Sequence, residues 1–508
     1  MYKIIIFLVF IGAPLQLRPQ VLPKEGSSLN YRIIGFSFPA SHKADVSYKI
    51  EIAAGNYSSL DSFEKNIIFS KVSKSNKIIA EVPAFGSDYT WHVLYSSATA
   101  KLKSSPIYHF STVMNARVDT TKNRLSILQD AKTNKDAYVA VGNGGVIYDM
   151  MGHPVWCVAD AYGIGNNMYD MKFTPQGTIT LMVDQVGYEV DYNSKLLWQT
   201  PPHDSMTYDT GADYYHHEFT RLSNGHYMTL GMEFFWYKKV TVNDSTYFIT
   251  TPDRSSHNKY SGAAGVKDRG RNGILIELDE KGNAVWSWRT SKYLQASDYV
   301  NFWPKDTAQR FEPHENAFYF DEKNNAIYLS YRQISRIIKI EYPTGKVMST
   351  YGEVFIPGHQ PKGNGMFCNQ HSIRRSQDGD LYFFNNNSCS GPGSAPSVMK
   401  IKETAAVKNN NTGLQKVWEY DLATDDVADE FPFGGNAIEL PDSSMFICMG
   451  SDYPKLLIVT QQKKILWSAL PERYEPDRNA WSVTKKIYRA NIISRKELER
   501  LIWNAENN

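Results

Sequence analysis

The stretch Gly187–Asp191 (GYEVD), followed after a turn by Leu196–Trp198 (LLW), decides the fold because the same unit returns along the chain. The unit joins a β-strand, a turn and an apolar stretch that usually ends on tryptophan. Six copies occupy residues 145–156, 187–198, 274–286, 337–348, 398–418 and 456–467. With a hairpin ahead of each copy, four short strands per unit are typical of a β-propeller. We therefore expect an all-β chain with a six-bladed β-propeller over residues 116–490, in which the tryptophans pack between blades.

The composition supports an all-β fold and argues against several function classes. The 508 residues include 32 tyrosines, 24 phenylalanines and 11 tryptophans, residue types that favour strands. A formal net charge of +2 offers no basic surface for nucleic acid. Four cysteines do not make a disulfide scaffold, and no internal run reaches the roughly 20 apolar residues of a membrane span. We expect neither nucleic acid nor a membrane span among the partners.

The N-terminal part of the chain differs from the repeats. Residues 1–20 combine Lys3 with the short apolar run Ile4–Ala13, which predicts a signal peptide and a periplasmic or secreted protein. Residues 24–115 contain short alternating strands such as Val46–Ile52, which predict an immunoglobulin- or fibronectin-like β-sandwich. This sandwich shows no catalytic constellation, so we expect it to serve in packing or in formation of a homodimer.

The C-terminal tail, residues 491–508, should hold a short helix. Ser494 precedes Glu497 by three residues, which is the spacing of a capping box, and an apolar stripe follows.

Three histidines occupy similar places in the repeated β units. His217 and His371 each lie eight residues before a glycine that turns the chain, and His314 precedes a similar turn. Arg332 should lie opposite His314, because both are nine residues from Lys323 at the centre of one hairpin. Equivalent positions in a closed β array point at one axis. The sequence therefore predicts a cationic pocket of imidazoles and a guanidinium, which suits a tetrahedral oxyanion such as sulfate or phosphate.

Three chemical interpretations of this cluster compete. Zinc commonly binds three histidines, but Glu218 and Glu315, the nearest carboxylates, should point to the opposite face of their strands, and the arginine would repel a cation. We expect no metal. A purely structural role fits one isolated histidine better than three equivalent ones beside an arginine. The third interpretation is covalent catalysis, with one imidazole accepting a group from an anionic donor.

The motifs around these residues resemble the bacterial arylsulfate sulfotransferase family. The resemblance rests on His217-Glu218-Phe219 before Gly225, on His314-Glu315-Asn316 before Arg332, and on Gln370-His371 before Gly379. The order of export signal, small β-sandwich and propeller is also similar, so the resemblance covers nearly the whole chain from about residue 24.

The resemblance implies a role for each matching residue. His371 matches the nucleophile that becomes a sulfohistidine, and His314 with Arg332 matches the sulfuryl-binding pair. His217 matches the first histidine of the site, with His216 the less favoured choice because it lacks the repeat register. Asn316 matches an asparagine that lines the pocket.

The implied reaction transfers a sulfuryl group from a phenyl sulfate to a phenol by a ping-pong route. It needs no nucleotide sulfate donor (PAPS) and no cofactor, and its partners are small phenolic molecules. Either His217 or His314 would serve as the acid and base, and the sequence does not choose between them.

Two further features bear on the site. Members of the family carry a short-spaced disulfide near it, and Cys368 with Cys389 is the candidate pair here, whereas Cys157 and Cys448 should be free core thiols. The polar and aromatic insertion at residues 232–270 should cap the pocket or contact a partner subunit.

The alternative function is a non-enzymatic propeller that binds sulfated or phosphorylated glycans. A sulfatase is disfavoured, because the chain has no Cys-x-Pro-x-Arg signature.

Overall fold

The computed structural model of the chain divides into two compact units, residues 1–114 and 115–508. The residues that it describes are 21–41, 45–97, 100–130, 136–162, 168–202, 214–242, 245–252, 269–294, 298, 312–352, 366–388, 395–404, 413–422, 433–450, 454–485 and 487–505. The predicted signal peptide lies outside these residues.

The first unit consists of two sheets and one short helix. Its elements are β1 Ser27–Leu29, β2 Ile33–Ser37, β3 Ser47–Ala54, α1 Leu60–Glu64, β4 Ile67–Ser73, β5 Lys77–Glu81, β6 Asp88–Ser97, β7 Ala100–Ser104 and β8 Tyr108–Thr112. The larger sheet has the order β1-β8-β6-β3-β4 with β7 beside β6, and β2 pairs with β5. Buried side chains of both sheets, among them Phe36, Ile50 and Trp91, form the core of the unit.

The second unit is built from strands, with one α-helix among its described residues. Its first strands are β9 Asn123–Gln129, β10 Ala137–Val141, β11 Val146–Asp149, β12 Pro154–Cys157, β13 Met168–Phe173, β14 Ile179–Val183, β15 Val186–Val190, β16 Leu196–Gln199, β17 Tyr214–Arg221, β18 Tyr227–Val242, β19 Ser245–Pro252, β20 Arg269–Leu278 and β21 Ala284–Arg289. The remaining elements are β22 Glu315–Asp321, β23 Ala326–Tyr331, β24 Arg336–Glu341, β25 Val347–Gly352, β26 His371–Arg375, β27 Leu381–Asn385, β28 Ser397–Glu403, β29 Leu414–Asp421, β30 Asn436–Glu439, β31 Met445–Cys448, β32 Leu456–Val459, β33 Ile465–Glu475, β34 Ala480–Val483, β35 Ala490–Ser494 and α2 Arg495–Asn504. The predicted all-β class is confirmed.

The described strands of this unit form six sheets. Their orders are β12-β11-β10-β35, β13-β14-β15-β16, β17-β18-β20-β21 with β19 on β18, β22-β23-β24-β25, β26-β27-β28-β29, and β30-β31-β32-β33-β34 with β9 on β33. Counted from the innermost strand, each copy of the sequence repeat supplies the third and fourth strands of a sheet. In the first sheet, where β35 is innermost, these are β11 and β12. The predicted insertion forms a β-hairpin of β18 and β19 in its described part.

The innermost strands contact one another in a closed series. The contacts run from β35 to β13, β17, β22, β26 and β30, and β30 contacts β35 again. Strand β35 begins at Ala490, where the repeats were expected to end, and continues into the predicted C-terminal tail. It pairs along β10, from Ala137 opposite Ser494 to Val141 opposite Ala490, so the C-terminal segment completes the first sheet.

The repeated tryptophans join neighbouring sheets, as the sequence predicted. The indole N–H of Trp156 donates to the carbonyl of Tyr192 in the second sheet at 2.7 Å, and Trp198 and Trp286 donate likewise to Glu280 and Pro343. Trp418 donates to Gln461, and Trp467 returns to Met150 in the first sheet at 3.0 Å. The outer strands therefore carry the same cyclic order as the inner ones.

The predicted terminal helix is confirmed as α2. Ser494 caps it by accepting from the backbone of Glu497, and the Glu497 side chain accepts from the backbone of Ser494 in return. None of the helices in the described ranges is long and apolar enough to span a membrane.

Candidate active site

A cavity of about 600 Å³ lies at the beginning of the innermost strands of the second unit. Each of the six strands contributes at or just before its first residues. The side chains at these positions include Tyr169, Tyr214–His217, His314, His371, Phe433 and Tyr488. The rest of the polar wall comes from Arg332, Arg271, Glu312, Asp184 and Gln185. The predicted residues His216, His217, His314, Arg332 and His371 all line this one cavity.

Irregular backbone directs the histidines into the cavity. The pairing of β17 with β18 skips two residues between His216 and Phe219, so His217 lies in a bulge. His217 and His314 both have left-handed φ values, 59° and 60°. That conformation costs a residue with a Cβ about 1–2 kcal/mol. Strain of this kind persists where surrounding contacts hold it, and it concentrates at functional sites.

The hydrogen bonds of His371 define its protonation. Nδ1 lies 2.6 Å from the side-chain oxygen of Asn386 and 3.1 Å from the carbonyl of Asn369. Both oxygens accept, so Nδ1 carries the hydrogen. The backbone N–H of Gly434 donates to Nε2 at 3.3 Å, which places a lone pair on Nε2. Burial, and next the charge of Arg332, lower the pKa of His371 well below 6.5, although the Asn386 bond opposes them.

Arg332 supplies the positive charge beside His371. Its backbone N–H donates to the carbonyl of His314 at 2.8 Å, which confirms the predicted pairing of these two residues across the hairpin. Its side-chain Nε is buried and has no hydrogen-bond partner among the residues that the structure describes. Burial lowers the pKa of Arg332, while the nearby Tyr488 and Glu312 raise it. A guanidinium with a donor to spare is suited to an oxyanion.

His314 forms part of an ion-pair chain that sequence reasoning did not find. Its Nδ1 lies 3.0 Å from Glu312, and Glu312 also contacts Arg271. Burial works against ionisation of Glu312, but the charges and hydrogen bonds of His314 and Arg271 lower its pKa to about 2. A carboxylate on Nδ1 orients the imidazole and places a negative charge beside it. Glu312 lies two residues before His314, and this spacing was the available signal.

A buried charge cluster lies behind the histidines. Glu218 is 1 % exposed and forms ion pairs with Lys172 and Arg374, both at 2.7 Å, and with Arg489 at 3.5 Å. As predicted, Glu218 does not line the cavity. The positive charge of Arg489 contributes to lowering the pKa values of His217 and His371, after burial and other neighbours. The cluster therefore helps to keep these two imidazoles neutral.

Asn316 is placed behind the cavity wall. It is fully buried, and its side chain donates to the carbonyl of Gln370 at 2.7 Å. It is absent from the cavity lining. Asn316 is therefore linked to His371 through Gln370, the residue that precedes this histidine.

Aromatic rings form the remaining wall. The ring of His217 lies 5.5 Å from that of Tyr169 and 5.5 Å from that of Tyr488, and His371 lies 5.9 Å from Tyr488. Such a wall suits a flat aromatic ligand. Tyr488 comes from the segment before the last strand, which the repeat pattern does not mark.

The cysteines divide as expected into two kinds. Cys157 and Cys448 are buried free thiols in strands, which confirms their predicted state. Cys368, three residues before His371, is disulfide-bonded. Cys389, the partner suggested by the family resemblance, lies outside the described residues.

No group of three or more histidine, cysteine, aspartate or glutamate side chains within the described ranges is arranged to hold a metal ion.

A model of the arylsulfotransferase (ASST) family matches residues 238–450 of the sequence. The matched range covers less than half of the 508 residues, and it supports the arylsulfotransferase family as the one that this chain resembles. The matched range contains His314, Arg332 and His371, whereas His217 and Tyr488 lie outside it. Similarity to this family supports a sulfotransferase enzyme. No curated protein sequence matches the chain.

Several solved structures have distant similarity to this chain. A periplasmic gluconolactonase from Pseudomonas aeruginosa shares 14% identity over 70% of this chain and 99% of its own, with a TM-score of 0.31. A putative 6-phosphogluconolactonase from Bacteroides fragilis shares 13% over 74% and 99%, with a TM-score of 0.29. A protein of unknown function from Bacteroides caccae shares 11% over 68% and 93%, with a TM-score of 0.34. Similarity at this level carries no argument about this chain.

Proposed function

We propose that this protein is an arylsulfotransferase that moves a sulfuryl group from a phenyl sulfate ester to a phenol through a sulfohistidine at His371, without PAPS. The observation that carries the proposal is the unprotonated Nε2 of His371, which accepts a hydrogen bond from the N–H of Gly434. This nitrogen belongs to a neutral, oriented imidazole that lies beside Arg332 in a cavity with aromatic walls. A neutral imidazole with a free lone pair is the nucleophilic form of histidine.

In the first half-reaction, Nε2 of His371 attacks the sulfur of the phenyl sulfate. A nitrogen–sulfur bond forms, the sulfur–oxygen bond to the ring breaks, and the electron pair leaves on the phenolate oxygen. His314, which has Glu312 on Nδ1, serves as the acid and donates a proton to that oxygen. Negative charge spreads over the sulfuryl oxygens in a loose transition state, and the unpartnered Nε of Arg332 is available to bind one of them.

Gly434 has a part in the same step. Its N–H, 3.3 Å from Nε2, must release that nitrogen before attack. The freed N–H then faces the incoming sulfuryl group and serves as a second oxyanion donor. A side chain at this residue is excluded, because a Cβ would lie 2.7 Å from the carbonyl of Tyr488.

In the second half-reaction, a phenol replaces the first product. Its oxygen loses a proton to a cavity histidine and attacks sulfur, the nitrogen–sulfur bond breaks, and the pair returns to Nε2. Donor and acceptor are both flat aromatic molecules, so the wall of Tyr169 and Tyr488 can receive each in turn.

For the whole chain we propose an exported enzyme with two domains. The closed series of inner-strand contacts and the tryptophan bonds support the interpretation of the six sheets as propeller blades. The two sheets of the first unit support a β-sandwich. A periplasmic or secreted location and a homodimer remain part of the proposal, and size measurement of the purified protein tests the dimer.

The test is covalent labelling by 4-nitrophenyl sulfate. Mixed with enzyme in the absence of acceptor, it should release about one nitrophenolate per active site and add one sulfuryl group to the peptide that contains His371. Digestion must stay neutral or alkaline, because a sulfohistidine is acid-labile. A phenol acceptor should then restore turnover.

The variant His371→Asn should abolish both labelling and transfer, because asparagine keeps much of the volume and lacks the nucleophile. His153→Asn, at a histidine with an exposed side chain, serves as the matched control. Full activity of His371→Asn would contradict the covalent route. Calorimetric binding of sulfated glycans with no nitrophenolate release would favour the glycan-binding alternative, and steady release without acceptor would indicate a sulfatase.

A further inference from the structure

His216 stands next to the first cavity histidine and has no part in the chemistry above. Its Nε2 lies 3.1 Å from the carbonyl oxygen of Gly231, and its Nδ1 lies 2.6 Å from Nδ1 of His217. A carbonyl oxygen only accepts, so Nε2 of His216 carries a hydrogen. Burial, opposed by the Gly231 bond and assisted by the charge of His314, lowers the pKa of His216 to about 3. The ring is therefore neutral, and its Nδ1 is a bare acceptor.

This acceptor determines the tautomer of His217. Two bare nitrogens would repel each other at 2.6 Å, so Nδ1 of His217 must carry the hydrogen that is shared between the rings. Burial first, and then the neighbouring His216 and His314, lower the pKa of His217 well below 6.5. A neutral His217 with its hydrogen on Nδ1 has its lone pair on Nε2.

The two cavity histidines thus differ in the partner behind them. His314 has the carboxylate of Glu312 on Nδ1, which places a negative charge beside the ring. His217 has only a neutral imidazole in that place, which orients the ring without stabilising a positive charge. Environments that separate two titratable groups in this way assign the acid and the base.

We propose that His216 is a positioning residue that holds His217 as the base of the second half-reaction. The inference rests on the proposed sulfuryl transfer and assigns the role that the sequence left open. The acceptor phenol gives its proton to Nε2 of His217 while its oxygen takes the sulfuryl group from His371. His314 has already given its proton to the first phenolate. The rings of His217 and His314 have centroids 5.1 Å apart, so the proton can return from one to the other and reset both.

The test separates the two half-reactions in His216→Phe, which keeps a ring and removes both nitrogens. Sulfation of His371 by 4-nitrophenyl sulfate should fall by at most about 3-fold, because nitrophenolate is a stable leaving group. Transfer to a weakly acidic phenol should fall about 10–100-fold, a part of what general base catalysis supplies. The loss should shrink for more acidic phenols and at higher pH, where solution supplies the phenolate.

The control is His216→Asn, which offers an acceptor oxygen near the former Nδ1 and should recover part of the transfer rate. A role in packing alone would slow both half-reactions equally, whatever the acidity of the phenol, and that result would overturn the proposal.

A spectroscopic measurement tests the tautomer without any turnover. Nitrogen-15 NMR of histidine-labelled resting enzyme should show His217 protonated on Nδ1 and bare on Nε2, with this pattern lost in His216→Phe. A hydrogen on Nε2 of His217 in the unchanged enzyme would overturn the assignment. Failure of the unchanged enzyme to label His371 would instead contradict the proposed function and leave the tautomer result standing.

Discussion

At the scale of single residues, the site is defined by what lies behind each reactive side chain. The imidazoles of His371, His217 and His314 are the same group with three different partners on Nδ1: an amide oxygen, a neutral imidazole and a carboxylate. The partner decides where the hydrogen lies and which charge state is favoured. The residues that contact Nδ1, such as Asn386 and Glu312, are therefore as informative about mechanism as the histidines themselves.

Arg332 gives a prediction at this scale. Arg332→Lys keeps the positive charge but loses the planar fork and its buried Nε donor. We expect the rate of His371 sulfation to fall about 10²–10³-fold, the loss typical of one missing oxyanion donor. The measurement is the single-turnover release of nitrophenolate. Arg478→Lys, at an arginine whose side chain is 77% exposed, is the matched control and should leave the rate unchanged. Equal rates of nitrophenolate release in the two variants would show that Arg332 does not stabilise the transition state.

At the scale of elements, bulges and close approaches between neighbouring sheets position the cavity residues. The pairing of β13, β17, β22 and β26 with the next strand is shifted near the cavity end of each. A bulge re-aims side chains that a regular strand would alternate between faces. This is the physical reason why the adjacent residues His216 and His217 both line the cavity.

Gly273 in β20 provides the prediction for this scale. A Cβ at this position would lie 0.9 Å from a carboxyl oxygen of Glu315 in β22. Glu315 is buried beside His314, and burial, opposed by hydrogen bonds from Thr290 and Tyr331, raises its pKa to about 8. Gly273→Ala should therefore lower the free energy of unfolding by about 3 kcal/mol, the upper part of the range for overpacking, and displace His314.

Urea denaturation measures the stability, and nitrophenolate release measures the effect on the site. Gly144→Ala is the control, because its added Cβ would meet only a side-chain carbon of Val146 at 3.6 Å. Similar denaturation midpoints for both variants would show that the contact between β20 and β22 yields at little cost.

At the scale of the whole molecule, residues far apart in sequence enclose the cavity. The strand β35 pairs with β10 across about 350 residues, and Tyr488 and Arg489 reach the histidines from the segment just before it. The enclosure buries several ionisable groups together. The stability of the protein should therefore depend on pH in a way that a dispersed set of histidines would not produce.

The sign follows from the lowered pKa values of His216, His217 and His371. Between about pH 6.5 and the lower folded values, the unfolded chain binds protons that the folded chain does not, so stability falls as pH falls. Each group contributes at most about 1.4 kcal/mol per pH unit. Glu315, with its pKa raised to about 8, acts in the opposite direction, because its folded form keeps a proton that the unfolded form loses above about pH 4.5.

A comparison of the unchanged protein with the variant His371→Asn isolates the contribution of His371 to this pH dependence. Urea midpoints of the unchanged protein should decline from pH 6.5 to 5. The free energy of unfolding, obtained from the same urea curves, should fall less steeply in His371→Asn. The difference should be up to about 1.4 kcal/mol per pH unit, because one titrating group is gone. Parallel curves for the two proteins would mean that His371 titrates alike in the folded and unfolded chains.

The sequence by itself determined what local periodicity encodes. The recurring unit predicted the all-β class, the spacing around Lys323 predicted the pairing of His314 with Arg332, and the capping box predicted helix α2. The equivalent places of His217 and His371 predicted that they share a cavity. These predictions succeed because strand alternation, turn residues and helix caps act over a few residues.

Only the tertiary structure decided the partners of those residues. Asn386, Tyr169 and the adjacent pair Tyr488 and Arg489 come from three different segments, and no repeat or motif in the sequence marks them as partners of His371. The protonation of each imidazole depends on burial and on charges brought close by closure of the sheet series, both of which are properties of the folded chain. The sequence therefore identified histidines that share one cavity, and the fold decided which partners surround each of them.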